Sequence, residues 1–188
     1  MHDRKLNRLS GFDYSSNRYY FVTMCVDNRI HTFGKIENKS MRLSANGIIA
    51  QEQWNWLAGQ YPYIQLISFV IMPNHIHGII FIDVNYYNDL NGFNIVGNGR
   101  GLIVGNDDSL QTDDRYQPVY KIKPIPELIG AYKTTVSKRI HLSGDASFKW
   151  QKSYHDHIIR NRSSLNRIKN YIETNPEKWD SDTFNNRL

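Results

Sequence analysis

The sequence predicts an α+β domain, an antiparallel sheet with helices packed on it. Segments whose apolar residues recur every second position alternate with segments of helical spacing, in the order β-α-β-β-α-β-α. Two consecutive strand segments are separated only by Pro73-Asn74, which is too short for a crossover and therefore makes antiparallel neighbours. Apolar side chains make up 40% of 188 residues, enough for one core without crosslinks.

Residues 1–17 read as an irregular basic arm carrying Arg4, Lys5 and Arg8. Arg18–Asp27, rich in Tyr, Phe, Val and Thr, is the first expected strand. Ser44 is a suitable N-cap for a helix reaching Leu57, with Ile48, Ile49, Trp54 and Leu57 on its apolar side. Tyr63–Met72 is the second strand. His75–Asp83 is the third, with Ile76, Gly78, Ile80 and Ile82 opposing His77, Ile79 and Phe81. Residues 84–118 are rich in Asn, Asp and Gly and contain a near-repeat, Ile95-Val96-Gly97-Asn98 and Ile103-Val104-Gly105-Asn106. They read as an insertion, either a long loop or a hairpin. Ile125–Leu142 is a helix with the stripe Leu128, Ile129, Tyr132, Val136 and Ile140, and with Lys133, Lys138 and Arg139 on another side. Phe148–Ile159 is the fourth strand. Ser163 or Ser164 caps a last helix from Leu165 to about Asn175, with Leu165, Ile168 and Ile172 as its core stripe and Pro176 ending it. The whole, 1–188, is one domain, and this element order resembles a ferredoxin-like fold with a long loop insertion.

The net charge is +5. Tyr120–Asn170 carries eleven Lys or Arg against Glu127, Asp145 and Asp156, a distribution that favours a polyanionic partner. The single cysteine, Cys25, excludes an intrachain disulfide and a cysteine-built zinc site, and suits a reducing cytoplasm. The longest mostly apolar run, about Ile64–Met72, is far too short to span a membrane. The expectation is a cytoplasmic, nucleoid-associated protein with no membrane partner.

Three constellations carry chemistry. His75 and His77 flank Ile76 on a strand, so both point the same way, roughly 6.5–7 Å apart along it, and can converge on one cation. Two ordinary histidines give the same pattern. Tyr171 and Asn175 lie four apart on one helical face. An amide oxygen suits a hard cation such as Mg2+ or Mn2+, and a tyrosine beside that cation can attack a phosphodiester. Each is equally a packing residue when taken alone. Tyr154-His155-Asp156-His157 holds a second His-x-His. The four imidazoles of His75, His77, His155 and His157 could build a zinc centre, while His157 could instead contact DNA or belong to a surface cluster. Lys133, Lys138, Arg139, Arg160 and Arg162, with the basic arm, are candidate phosphate contacts. Tyr19, Tyr20, Tyr61, Tyr63 and Tyr154 are candidates for stacking on unpaired bases. No GxxxxGK[ST] phosphate loop is present.

Taken together, four blocks resemble a known family. They are Phe12-Asp13-Tyr14 with Tyr20-Phe21-Val22-Thr23, Arg29 and Phe33-Gly34; Val70 to Gly78 around His75-Ile76-His77; Trp150 to Asn161; and Leu165 to Trp179. The family is the REP-associated tyrosine transposases, relatives of the insertion-sequence transposases that move single-stranded DNA, within the HUH endonucleases. The resemblance covers nearly all of the chain outside 84–118. It implies that Tyr171 is a nucleophile that becomes linked to a 5′ phosphate and leaves a free 3′ hydroxyl. It implies that His75, His77 and Asn175 hold Mg2+ or Mn2+. It also implies a substrate of single-stranded DNA beside a hairpin, handled by a monomer or homodimer. The acidic, Asn-rich insertion departs from the family pattern. Two other readings stay open: a zinc hydrolase, and a non-catalytic nucleic-acid-binding module.

Overall fold

The computed structural model describes Leu9 and residues 11–85 and 122–185; the basic arm with Arg4, Lys5 and Arg8, and nearly all of the 84–118 insertion, lie outside them. The strands are β1 (Tyr19–Cys25), β2 (Gly34–Glu37), β3 (Ser40–Leu43), β4 (Ile64–Ile71), β5 (His75–Ile82) and β6 (His155–Ile159). The helices are α1 (Ala45–Gln60), α2 (Ile125–Leu142) and α3 (Arg162–Glu173), followed by a 3₁₀ segment, Pro176–Ser181. Four strands form one antiparallel sheet in the order β4-β5-β1-β6, while β2 and β3 pair separately. With that small hairpin set aside, the expected ferredoxin-like α+β arrangement stands.

The period-two pattern of the strands gives the sheet two different faces. On one, Tyr20, Val22 and Met24 of β1 and Ile76, Ile80 and Ile82 of β5 are buried against Ala50, Trp54 and Leu57 of α1 and against Leu128, Ile129, Tyr132, Val136 and Ile140 of α2. The Tyr132 hydroxyl donates to the Ala50 carbonyl at 3.0 Å and ties the two helices together. On the other face Ile79, Ile159 and Ile172 form a smaller cluster, joined by Leu165 and Ile168. That cluster seats α3. Burying a side chain such as Ile172 is worth about 1.5–3 kcal/mol, which makes it the main anchor of this helix.

Several boundaries differ from the sequence reading. Ser44 does cap α1, accepting from the Gly47 amide. Yet the buried stripe of α1 runs through Gly47, Ala50, Gln53, Trp54 and Leu57, and Ile48 is exposed. At about 100° per residue, Ile48 falls roughly opposite Ala50. The fourth strand begins only at His155. Upstream, Phe148–Gln151 runs beside Val26 through a single bridge at Trp150, whose indole donates to the Lys133 carbonyl of α2. Trp150 is held by the helix layer, so the segment cannot continue the ladder of β6. The last helix starts at Arg162, and its cap is Asn161, which accepts from the Ser164 amide at 2.8 Å. The β2–β3 hairpin was not anticipated. Its turn puts Asn38 and Lys39 at φ 49° and 60°, a two-residue turn that sequence signals usually announce with a glycine.

Gly78 sits directly behind the histidine pair and lies under the Trp54 indole, so that any Cβ there would collide with Trp54 Cη2 and Cζ2. Both partners are in the main core, so neither can yield cheaply. Gly78→Ala is expected to destabilise the fold by about 1–3 kcal/mol, read from the urea midpoint. A midpoint unchanged from wild type would contradict this packing.

Candidate active site

Strand β5 is buried on both sides and lies between β4 and β1. Its second face carries His75 and His77, both buried. Cross-strand register puts His75 beside Cys25 and His77 beside Thr23. The two Nε2 atoms meet at 3.1 Å.

The rest of the network fixes the hydrogen on His75 and orients both rings. The Asn74 amide Nδ2 donates to the carbonyls of Arg29 at 3.0 Å and Phe184 at 2.8 Å, which turns Oδ1 toward His75 Nδ1 at 2.8 Å. An amide oxygen only accepts, so His75 Nδ1 bears the hydrogen and Nε2 presents a lone pair. Thr23 Oγ1 holds His77 Nδ1 at 2.8 Å. Thus each imidazole is oriented through its far nitrogen and aims its near nitrogen at the same point, which is how metal-binding histidines are braced. Burial is the first cause that lowers the His75 pKa to about 2, with His77 and Arg29 adding to it. Burial also takes His77 down to about 3, with His155 contributing. Both rings are neutral at physiological pH, the form a metal requires.

From α3, the Tyr171 hydroxyl reaches His77 Nε2 at 3.1 Å. The phenol ring stands edge-on to Phe21 and to the His77 ring. Tyr171 remains 38% exposed, open enough for a substrate to reach it. Burial raises its pKa, a hydrogen bond from Asn175 pulls it down, and Asp182 pushes it up. Asn175 is itself buried, and its Oδ1 has no hydrogen-bond partner among the described residues. A buried, unmet acceptor costs about 1–3 kcal/mol, and an oxygen of this kind fits a cation. A C-terminal segment closes the His75 side: the Phe184 ring lies tilted over His75 with centroids 4.5 Å apart, and Trp179 lies 6.1 Å away. Arg29 secures that segment by donating to the Thr183 carbonyl at 2.9 Å.

The structure therefore brings together His75, His77, Tyr171 and Asn175. It does not gather the four imidazoles. Thr23 stands between His77 and His155 in the cross-sheet row, His157 lies opposite Phe21, and both β6 histidines are exposed. Among the described residues no three His, Cys, Asp or Glu side chains converge as a metal site, so the zinc centre does not form. Lys133, Lys138 and Arg139 sit on α2, in the layer on the other side of the sheet from Tyr171. Lys133 donates to the Gln151 carbonyl at 2.6 Å, and Arg139 pairs with Glu52 at 2.9 Å. Arg160 and Arg162 are exposed where β6 joins α3. Tyr20 and Tyr63 are core residues and are not available to stack on bases. Sequence reasoning assigned no role at the site to Asn74, Thr23, Phe184 or Arg29, although Thr23, Arg29 and Asn74 fall in the blocks that resemble the family. Their contacts depend on register and chain return, for which the sequence carries no local signal.

No family model matches the chain. An uncharacterised protein of Haemophilus influenzae is 30% identical over 188 residues, covering 97% of this chain and 93% of its own length. The chain belongs to the family of that protein. Among solved structures, that of a REP-associated tyrosine transposase bound to a REP hairpin superposes with a TM-score of 0.54 at 16% identity, covering 93% of this chain and 74% of that one. Its fold is that of a REP-associated tyrosine transposase.

The neutral histidines have a consequence for stability. Their folded pKa values lie below the unfolded value near 6.5. Above pH 6.5 both states hold them neutral and nothing changes. Below it the unfolded chain takes up protons that the folded chain refuses, so stability falls as pH drops toward 3. The loss amounts to at most about 1.4 kcal/mol per pH unit for each ring. Urea midpoints of metal-free protein between pH 7.5 and 4.5 should fall more steeply for wild type than for His77→Gln. Parallel curves would contradict neutral burial.

Proposed function

We propose that the chain is a transposase and single-strand endonuclease that cuts and rejoins DNA through Tyr171. The observation that carries this reading is the placement of the Tyr171 hydroxyl 3.1 Å from His77 Nε2, which is itself 3.1 Å from His75 Nε2. A nucleophile, two buried imidazoles with convergent Nε2 atoms and an amide oxygen unmet among the described residues occur together on one face of the sheet. The fold shared with a transposase that binds a REP hairpin supports the same reading, and suggests hairpin-flanked single-stranded DNA as the substrate.

His75 Nε2, His77 Nε2 and Asn175 Oδ1 would hold Mg2+ or Mn2+. When bound, such a cation supplies charge stabilisation at the phosphate oxygens and favours the phenoxide form of a neighbouring tyrosine. The chain's own residues do the rest. Asn74 and Thr23 orient the imidazoles. Ile168 and Ile172 fix the height of Tyr171 above the sheet. Asn175 steadies the phenol oxygen. In the reaction a bond forms between Tyr171 Oη and the phosphorus, and the P–O3′ bond breaks. The phenol proton leaves to solvent and the departing 3′ oxygen takes one up. The phosphotyrosine conserves the phosphodiester bond, so attack by a 3′ hydroxyl rejoins DNA with no nucleotide cofactor. The protein would act at the nucleoid, as a monomer or a homodimer.

The test is a denaturing gel after incubation with hairpin-flanked single-stranded DNA and Mn2+. A protein–DNA adduct should form with wild type and vanish with Tyr171→Phe. Cleavage that survives Tyr171→Phe would instead indicate a hydrolase, and binding with neither cleavage nor adduct a non-catalytic module. His75→Ala or His77→Ala should abolish the adduct while largely keeping DNA affinity. Asn74→Ala, which removes the brace on His75 together with the bonds to the Arg29 and Phe184 carbonyls, should weaken metal affinity about 10- to 100-fold as followed by Mn2+ titration. An unchanged affinity would show that the brace is idle.

A further inference from the structure

A groove of about 1030 Å³ lies at the N-terminal end of α3, and nothing in the proposed chemistry uses it. Arg18, Arg160, Arg162 and Lys169 line it, together with Tyr19 and Phe81, and no Asp or Glu does among the described residues. Among the described residues none of these four cations meets a carboxylate. Arg160 and Arg162 also sit at the positive end of the α3 dipole, whose first turn holds no acidic residue. Cations there are unfavourable, a cost that a bound anion would remove. The floor is aromatic: Tyr19 and Phe81 stack on each other at 4.4 Å and both are only half-buried.

The position of this groove is informative. Tyr19 and Phe81 share the sheet face of the active site. Each is four residues along its strand from Thr23 and His77, which corresponds to about 13 Å. Along α3, the nine residues from Arg162 to Tyr171 give about 13 Å as well. Groove and nucleophile are therefore two stations on one track, joined by the exposed side of α3. Unpaired cations beside an exposed aromatic surface are the combination that holds single-stranded nucleic acid, phosphates on the charges and a base on the ring. A paired base in a duplex has no free face to offer there.

We infer that this groove binds the single strand a few nucleotides away from the phosphodiester presented to Tyr171, with phosphates on Arg18, Arg160, Arg162 and Lys169 and a base against the Tyr19–Phe81 pair. The substrate class rests on the proposed function, but the binding site can be tested apart from it. Fluorescence anisotropy of a labelled single-stranded oligonucleotide, titrated with salt, reads the groove directly on the full-length protein. In Arg160→Ala/Lys169→Ala the log–log salt slope should fall by about 1.4, since each lost phosphate contact on a single strand accounts for about 0.7. Tyr19→Leu, which keeps an apolar side chain and loses the stack, should weaken binding about tenfold at an unchanged slope. Lys35→Ala, on the β2–β3 hairpin where the side chain pairs with Glu37, should change neither quantity. A double variant with wild-type affinity and slope would overturn the inference, even if the Tyr171 adduct still forms. Loss of binding in the double variant would uphold it, even if wild type forms no adduct and the covalent reading fails. A blunt duplex that binds as tightly as the single strand, with the same sensitivity to the groove substitutions, would overturn the single-strand assignment.

Discussion

The site depends on one constraint, the register of β5 between β4 and β1. That register places His75 and His77 on a buried face where neither imidazole can afford a charge, and sets Thr23 beside His77. From there the hydrogen-bond pattern follows with little freedom. Asn74 has two carbonyls to satisfy with its amide, so its oxygen must face His75. The result is a pair of neutral rings with their near nitrogens in contact, an arrangement that is unremarkable as core packing but well suited to a cation.

Strand β5 can serve this purpose because its other face is so firmly held. Ile76, Ile80 and Ile82 sit in the main core, and Gly78 allows Trp54 to lie flat against the strand immediately behind the histidines. The functional face is the weaker of the two layers. Its apolar content is small, centred on Ile79, Ile159 and Ile172, and it has only to seat one short amphipathic helix. Rigid support lies beneath the histidines, and a lighter, more exposed element carries the nucleophile over them. The C-terminal return through Trp179 and Phe184 then shields His75 while leaving Tyr171 partly open.

Much of this was legible in the chain. Period-two alternation separated Ile76, Gly78 and Ile80 from His77 and Ile79, and a four-residue spacing put Tyr171 and Asn175 on one side of a helix. Both readings rest on local geometry that the fold preserves. What could not be read depends on long-range partners. The Ile48 side of α1 looked apolar, but tertiary packing chose the face with Ala50 and Trp54. Phe148–Tyr154 had the composition of a strand, but Trp150 is held by α2. The contributions of Asn74, Thr23 and Phe184 exist only once β1, β5 and the C-terminal segment have met. The histidine count suggested a four-imidazole alternative, which fails because Thr23 intervenes in the cross-sheet row.

The central claim is that the two near nitrogens of His75 and His77 jointly hold a divalent cation facing Tyr171. Pulsed electron paramagnetic resonance of the Mn2+-loaded protein tests it most directly, because imidazole nitrogens bound to manganese give resolvable nitrogen couplings. The account predicts two such nitrogens in wild type and one in each of His75→Ala and His77→Ala at saturating Mn2+. Tightly bound manganese with no imidazole coupling, or with a spectrum indifferent to both substitutions, would contradict it.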